Sequence, residues 1–140
     1  MKPSKDRHKP KVLIVDDENT VTETLQVVLT MRGYNIFTAD NGNTALDLLF
    51  RHKPDLVLLD LVLPGLDGLS ILKRMRENNT LAKIPVIIVT VVTRDSDLAD
   101  GFWRMVAGTE GFITKPFDPF EVADRVDTII SSKGLAPSPD

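Results

Sequence analysis

Residues 56–60 read Leu-Val-Leu-Leu-Asp, four consecutive aliphatic residues closed by one acid. The figure recurs along the chain: residues 12–15 end in Asp16, 86–89 in Thr90, and 112–114 in Lys115. Short apolar runs without alternation, separated by stretches of helical periodicity, are the pattern of parallel strands buried on both faces and linked by crossover helices. The fold class is therefore α/β. In an open parallel sheet the strands point one way and ligands bind beyond their carboxyl ends. Asp16, Asp60, Thr90 and Lys115 should thus meet at one edge. A carboxylate ending an apolar strand is costly to desolvate unless a metal, a cation or hydrogen bonds offset the penalty, and three acids (Asp16, Asp17, Asp60) share one lysine here.

Working outward, the chain predicts five strands alternating with five helices. The first strand covers 11–15, and Asp16-Asp17-Glu18 supplies acids that complement the dipole of a helix ending near Arg32. Gly33 is the stop signal. A second strand follows over 34–39, then a turn at Asp40-Asn41-Gly42 and a helix over 44–52. After the strand over 56–60, Pro64-Gly65 and Asp67-Gly68 form a loop leading to a helix over 69–78. Pro85 opens the fourth strand. The helix over 96–107 carries Gly101 in its interior, at up to ~1 kcal/mol relative to alanine, and is expected to be the softest. A short strand over 111–114 precedes Lys115-Pro116, and Asp118-Pro119 caps a final helix reaching 132. Residues 1–10 and 133–140 are expected to be a disordered arm and a disordered tail, the latter alternatively the start of a severed linker.

With 140 residues and 42% apolar content the chain suits one core. A formal charge of −3 leaves no footprint for nucleic acid. The absence of cysteine excludes disulfides, thiolate metal sites and thiol nucleophiles. No stretch approaches the roughly 18 apolar residues of a membrane span, and the first ten lack the apolar segment of a secretory signal. The expectation is a soluble cytoplasmic protein, with no direct nucleic-acid or membrane partner. His8 and His52 read as surface residues.

The acidic pair after the first strand (Asp16, Asp17), Asp60 with Pro64 four residues on, Thr90, and Lys115-Pro116-Phe117 stand in an order and spacing that resembles the receiver domain of two-component response regulators. The match covers 11–132. The resemblance implies a flavodoxin-like doubly wound sheet of order 2-1-3-4-5 flanked by five helices. It implies a signalling switch rather than a conventional enzyme, in which Asp60 accepts a phosphoryl group from a phosphohistidine of a sensor histidine kinase, from a phosphotransfer protein, or from a small acyl phosphate. Mg²⁺ or Mn²⁺ would be held by Asp17 and Asp60 directly, by the backbone carbonyl of Val62, and by Asp16 through water. Lys115 would hold one phosphoryl oxygen and Thr90 another, with Phe112 turning inward behind Thr90 as the switch. The bond before Pro116 is often cis in such domains.

Departures from the family pattern bear on lifetime. Val62 and Val92 are apolar where fast-dephosphorylating members often carry polar residues, which predicts a long-lived phosphoryl state. If Leu98, Phe102 and Met105 face inward, then Ala99, Trp103 and Val106 form an outer stripe. The face built from that helix, the last strand and the last helix would then bind an effector or a second copy. Other readings fare less well. A dehalogenase-like phosphatase needs a second aspartate where Val62 stands, and a flavin module needs a hydroxyl-rich or glycine-rich first loop where 16–20 is acidic. A fragment of a longer regulator with a DNA-binding or enzymatic output, and a phosphorylation-independent pseudo-receiver, remain the alternatives.

Overall fold

The computed structural model describes residues 9–91 and 106–139. Five parallel strands, β1 (Lys11–Val15), β2 (Asn35–Ala39), β3 (Leu56–Leu59), β4 (Val86–Thr90) and β5 (Gly111–Thr114), lie in the order β2-β1-β3-β4-β5. Among the described residues the helices are α1 (Asn19–Met31), α2 (Gly42–His52), α3 (Gly68–Glu77) and α4 (Pro119–Ser132), with a 3₁₀ turn at Leu81–Lys83. The fifth helix expected over 96–107, with Gly101, Trp103 and its inward residues, lies outside the described residues apart from Val106 and Ala107, which are helical. Residues 1–8, including His8, and Val92 also lie outside them.

Alternation along each strand splits the core in two. Leu13, Val15, Val57, Leu59, Val86 and Ile88 face Ala45 and Leu49 of α2 and Ile71 and Met75 of α3. Val12, Ile14, Leu58, Ile87 and Ile113 face Leu25 and Leu29 of α1 and Val122, Val126 and Ile130 of α4. Because both faces are covered, these strands need apolar side chains at every position, which is why their sequence shows no alternation. α1 and α4 are also tied by polar contacts. Arg32 at the end of α1 bonds Asp124 and Asp127 of α4, and the buried Tyr34 donates its hydroxyl to Asp127. Burial first, and then this bond and the Asp127 charge, hold the Tyr34 phenol above its ordinary pKa, keeping it a donor.

Several boundaries differ from expectation for local reasons. The helix start expected at the acids comes at Asn19, and Glu18 is the N-cap without capping through its side chain. α2 begins two residues early because Asn41 accepts from the Thr44 N–H. His52, expected on the surface, is half-buried and stacks on Phe37 with ring centroids 4.2 Å apart. The tail expected to be disordered turns back: Ser138 N–H donates to the Gly33 carbonyl at 3.1 Å, and Lys133 reaches the Asp55 carbonyl. Gly33, at φ +99°, has no room for a Cβ, which would lie 2.3 Å from the Pro139 nitrogen. Val106, expected on an outer stripe, is 8% exposed and belongs to the core beside Ile88 and Met75. Its apolar side chain finds the sheet face that α2 and α3 cover, so it cannot serve as a contact surface.

Gly68 opens α3 directly against the backbone after β3, and a Cβ there would lie 2.4 Å from the Asp60 carbonyl oxygen and 2.6 Å from the Leu61 Cα. Neither neighbour is a flexible side-chain end, so the helix and the loop must separate. Gly68→Ala should lower unfolding free energy by about 1–3 kcal/mol in urea titrations. An unchanged midpoint would show that α3 is not seated against this loop.

Candidate functional site

The sheet register carries the site. Val15 pairs with Leu59, so Asp16 and Asp60 leave the sheet at one level, and Leu59 pairs with Ile88 and Thr90 with Thr114, which puts Thr90 and Lys115 just beyond them along the same edge. Backbone hydrogen bonds extend the ladder past the strands: Asp16 N–H donates to the Ala39 carbonyl, Asp60 N–H to that of Val15, and Lys115 N–H to that of Thr90, at 3.0, 2.9 and 3.0 Å. The three side chains are thereby aimed from pinned backbone. Beyond Asp60 the chain alternates once more, with Leu61 and Leu63 buried and Val62 70% exposed. The two leucines anchor the loop in the core and hold it over Asp60.

Asp16, Asp60 and Thr90 are the buried polar residues at this edge, at 3, 4 and 3% exposure. One Asp60 oxygen, Oδ1, accepts from the Thr90 hydroxyl at 2.7 Å and from the Val62 N–H at 3.0 Å. The other, Oδ2, accepts from Lys115 Nζ at 2.9 Å. Lys115 Nζ also lies 2.7 Å from Asp16 Oδ2 and 2.7 Å from Glu18 Oε1. The remaining Asp16 oxygen accepts from the Glu18 N–H at 2.9 Å. Among the described residues no buried side-chain nitrogen or oxygen lacks a partner. The peptide bond between Lys115 and Pro116 is cis.

Burial pushes the Asp16 carboxyl above the ordinary carboxylate range, and the hydrogen bonds from Lys115 and the Glu18 backbone offset this only in part. Burial also pulls Lys115 downward, but its bonds to Asp16, Glu18 and Asp60 outweigh that and hold the ammonium above the usual lysine range. Lys115 is thus a fixed cation whose field makes two buried carboxylates tolerable.

Asp16, Asp17 and Asp60 each offer an oxygen within 4.8 Å of the others, a set that could hold a metal ion. Hard carboxylate oxygens in this number, with Asp17 exposed to solvent, suit a cation that keeps several waters. Val62 meets Asp60 through its N–H. Phe112 is partly buried against the Ile88 side of the sheet. Trp103 lies outside the described residues. The side chain that sequence reasoning missed is Glu18. It read as a helix-start acid, and only the fold shows that its carboxylate turns across the site to Lys115.

The raised Asp16 pKa has a definite sign. Because its folded value exceeds the ordinary 3.8, ionising this group weighs against the folded state, fully at neutral pH and not at all once both states are protonated. Asp16→Asn should therefore stabilise the metal-free protein by about 1 kcal/mol at neutral pH. The gain should shrink as pH falls through the raised value toward 3.8. Thermal melts should also show added Mg²⁺ raising the midpoint of the parent chain more than that of the variant. A loss of stability at neutral pH would contradict the assignment of Asp16 as a strained, buried anion.

Comparison with known proteins agrees with this geometry. The response regulator receiver domain model matches residues 12–127. The alkaline phosphatase synthesis transcriptional regulatory protein PhoP of Bacillus subtilis is 37% identical over 126 residues, covering 90% of this chain and 50% of that protein. The chain spans about half the length of the curated relatives it matches. The receiver domain of the Francisella response regulator 1452 superposes with a TM-score of 0.76 at 29% identity, covering 89% of this chain and 98% of that one. The signal receiver domain of a signal transduction histidine kinase from Syntrophus aciditrophicus gives 0.77 at 31% identity, covering 88% and 91%. A CheY-like receiver domain protein of Methanospirillum hungatei, at 21% identity and a TM-score of 0.79, shares the fold. With its five strands in the order 2-1-3-4-5 and its acid, hydroxyl and lysine at one sheet edge, this chain belongs to the response regulator receiver domain family.

Proposed function

We propose that Asp60 is the phosphoacceptor of a Mg²⁺-dependent switch, charged by a sensor histidine kinase or a phosphotransfer protein. The observation that carries this reading is the pair of contacts on Asp60: a hydroxyl on one carboxylate oxygen and an ammonium on the other, with Asp16 and Asp17 alongside. One Asp60 oxygen attacks phosphorus, and the P–N bond of the phosphoimidazole breaks. Its electron pair stays on the imidazole nitrogen, which takes up a proton as it leaves. With acetyl phosphate, the P–O bond breaks and acetate departs. In both cases Thr90 shifts from the carboxylate to an equatorial phosphoryl oxygen and Lys115 gives a donor to another, where charge gathers in a loose transition state. A divalent ion held by Asp17, Asp60 and the Val62 carbonyl, with Asp16 acting through water, would neutralise further phosphoryl charge.

The movement of Thr90 toward the phosphoryl group is the switch, with Phe112 following into the space it leaves. The face formed by the helix expected over 96–107, β5 and α4 is read out by a protein effector or a second copy of the chain. Trp103→Ala should weaken that association when a phosphoryl mimic is bound. If association measured by sedimentation is unchanged with and without the mimic, another surface is used. A longer regulator with a DNA-binding or enzymatic output is the second reading, supported by the half-length span of the curated matches. The cytoplasm is the compartment in which such a relay would operate.

Incubation with Mg²⁺ and acetyl phosphate should add one phosphoryl group, about 80 Da by intact mass, and Asp60→Asn should abolish the gain. No gain together with no beryllofluoride binding would favour a pseudo-receiver that binds its partners without phosphorylation. The exposed Val62 cannot orient an attacking water, so the aspartyl phosphate should outlast seconds without a phosphatase. Val62→Asn should shorten its half-life by up to about tenfold, a barrier change of roughly 1.4 kcal/mol. A parent half-life of seconds, followed by phosphate release, would contradict this.

A further inference from the structure

Lys115 has three N–H donors and no more. They are aimed at three carboxylates, Asp16, Glu18 and Asp60, at 2.7, 2.7 and 2.9 Å. A phosphoryl group arriving at Asp60 requires a donor from this lysine, so one present partner must let go. The three are not equivalent. Asp16 and Asp60 have side chains only 3% and 5% exposed, and until the bond to phosphorus forms both are carboxylates that cannot leave the lysine without becoming unpaired buried charges. The Glu18 side chain is 53% exposed, and water can replace the lysine at little loss.

The placement of Glu18 is itself specified. Its N–H is tied to Asp16 Oδ1 and its carbonyl accepts from the Val21 and Thr22 N–H groups, so its backbone is fixed at the entrance to α1. Its side chain makes no capping bond there. It lines the same cleft as Asp60, Thr90 and Lys115. An N-cap glutamate that spans the cleft to the lysine, rather than capping its own helix, is a contact made for the site.

Resting on the phosphoacceptor reading above, we infer that Glu18 is a positioning residue that holds Lys115 in the unphosphorylated state and yields it to the incoming phosphoryl group. It keeps the third donor of Lys115 occupied and so sets a threshold against adventitious charging by small anionic donors. The contact, and not only the negative charge, is what matters. Glu18→Gln removes the ion pair, whereas Glu18→Asp keeps the charge but withdraws it by one methylene.

The test is a titration of the full chain with beryllofluoride at saturating Mg²⁺, alongside the hydrogen-exchange rate of the Lys115 ammonium measured without Mg²⁺ or beryllofluoride. Both Glu18→Gln and Glu18→Asp should bind beryllofluoride about two- to fivefold more tightly than the parent, the scale of a half-exposed ion pair. Both should exchange the Lys115 ammonium protons faster. Glu23→Gln, which removes the same charge from an exposed position on α1, should change neither. Unchanged or weaker binding in Glu18→Gln would overturn the inference. So would parent-like binding in Glu18→Asp, because the effect would then be one of charge alone. If the parent chain binds no beryllofluoride, the phosphoacceptor reading fails, and the exchange rates still report whether Glu18 holds the lysine.

Discussion

The arrangement at the carboxyl edge of the sheet depends on one ammonium group. Asp16 and Asp60 are both nearly inaccessible to water, and two carboxylates that close in a low-dielectric setting repel each other and are poorly solvated. Lys115 contacts both. Removing it would leave a pair of buried anions with Thr90 and a few backbone N–H groups as their only named donors, a penalty on the scale that breaks buried ion pairs. The lysine is itself delivered by β5, the strand at the sheet edge, through a backbone bond to Thr90. The last strand therefore supplies the charge that allows the first and third to end in acids.

The rest of the architecture limits how far those groups can wander. Leu61 and Leu63 are sunk into the core on either side of Val62, and Gly68 lets α3 sit against the Asp60 and Leu61 backbone. On the other face, Tyr34, Arg32 and Asp127 lock α1 to α4. Glu18 caps the start of α1 and α4 begins shortly after Lys115, so locking the two helices together limits how far these segments can move apart. The side chains of the site are free to exchange partners while their Cα positions are not. A site on rigid elements with movable hydrogen bonds is what a group that must bind and release phosphoryl requires.

Much of this was legible in the linear sequence, and the reasons are specific. The strands could be read because burial on both faces demands unbroken aliphatic runs, and the polar residue closing each run marks the edge. The convergence of Asp16, Asp60, Thr90 and Lys115 followed from strand polarity alone. What escaped were contacts set by tertiary proximity. Glu18 next to Asp17 has the appearance of a charged helix start, and nothing local signals that its carboxylate reaches a lysine 97 positions away. Val106 was placed on an outer stripe because helical spacing alone offers two apolar arcs in this stretch, and only the fold shows its side chain buried beside Ile88 and Met75. The tail after Ser132 is polar and proline-containing, as disordered segments are, yet Gly33 leaves a backbone surface bare enough for it to dock.

Charge also explains why lysine alone does not complete the site. Four carboxylates (Asp16, Asp17, Glu18 and Asp60) face one ammonium, so the edge is strongly anionic before any ligand arrives. A phosphoryl group that is itself a dianion would be repelled from such a surface. Two changes reduce that repulsion: a divalent cation among the acids, and the departure of an acid from the lysine. Asp16, Asp17 and Asp60 are grouped for the first, and Glu18 is the partner that can make the second. Binding the cation and freeing the lysine are thus linked demands of a single electrostatic problem. Thr90 carries the outcome outward, because its hydroxyl bonds Asp60 while its backbone carbonyl bonds Lys115. Both partners of Thr90 therefore meet at the junction of β4 and β5, where Phe112 packs partly exposed, and under the switch proposed above a change at either would be transmitted there.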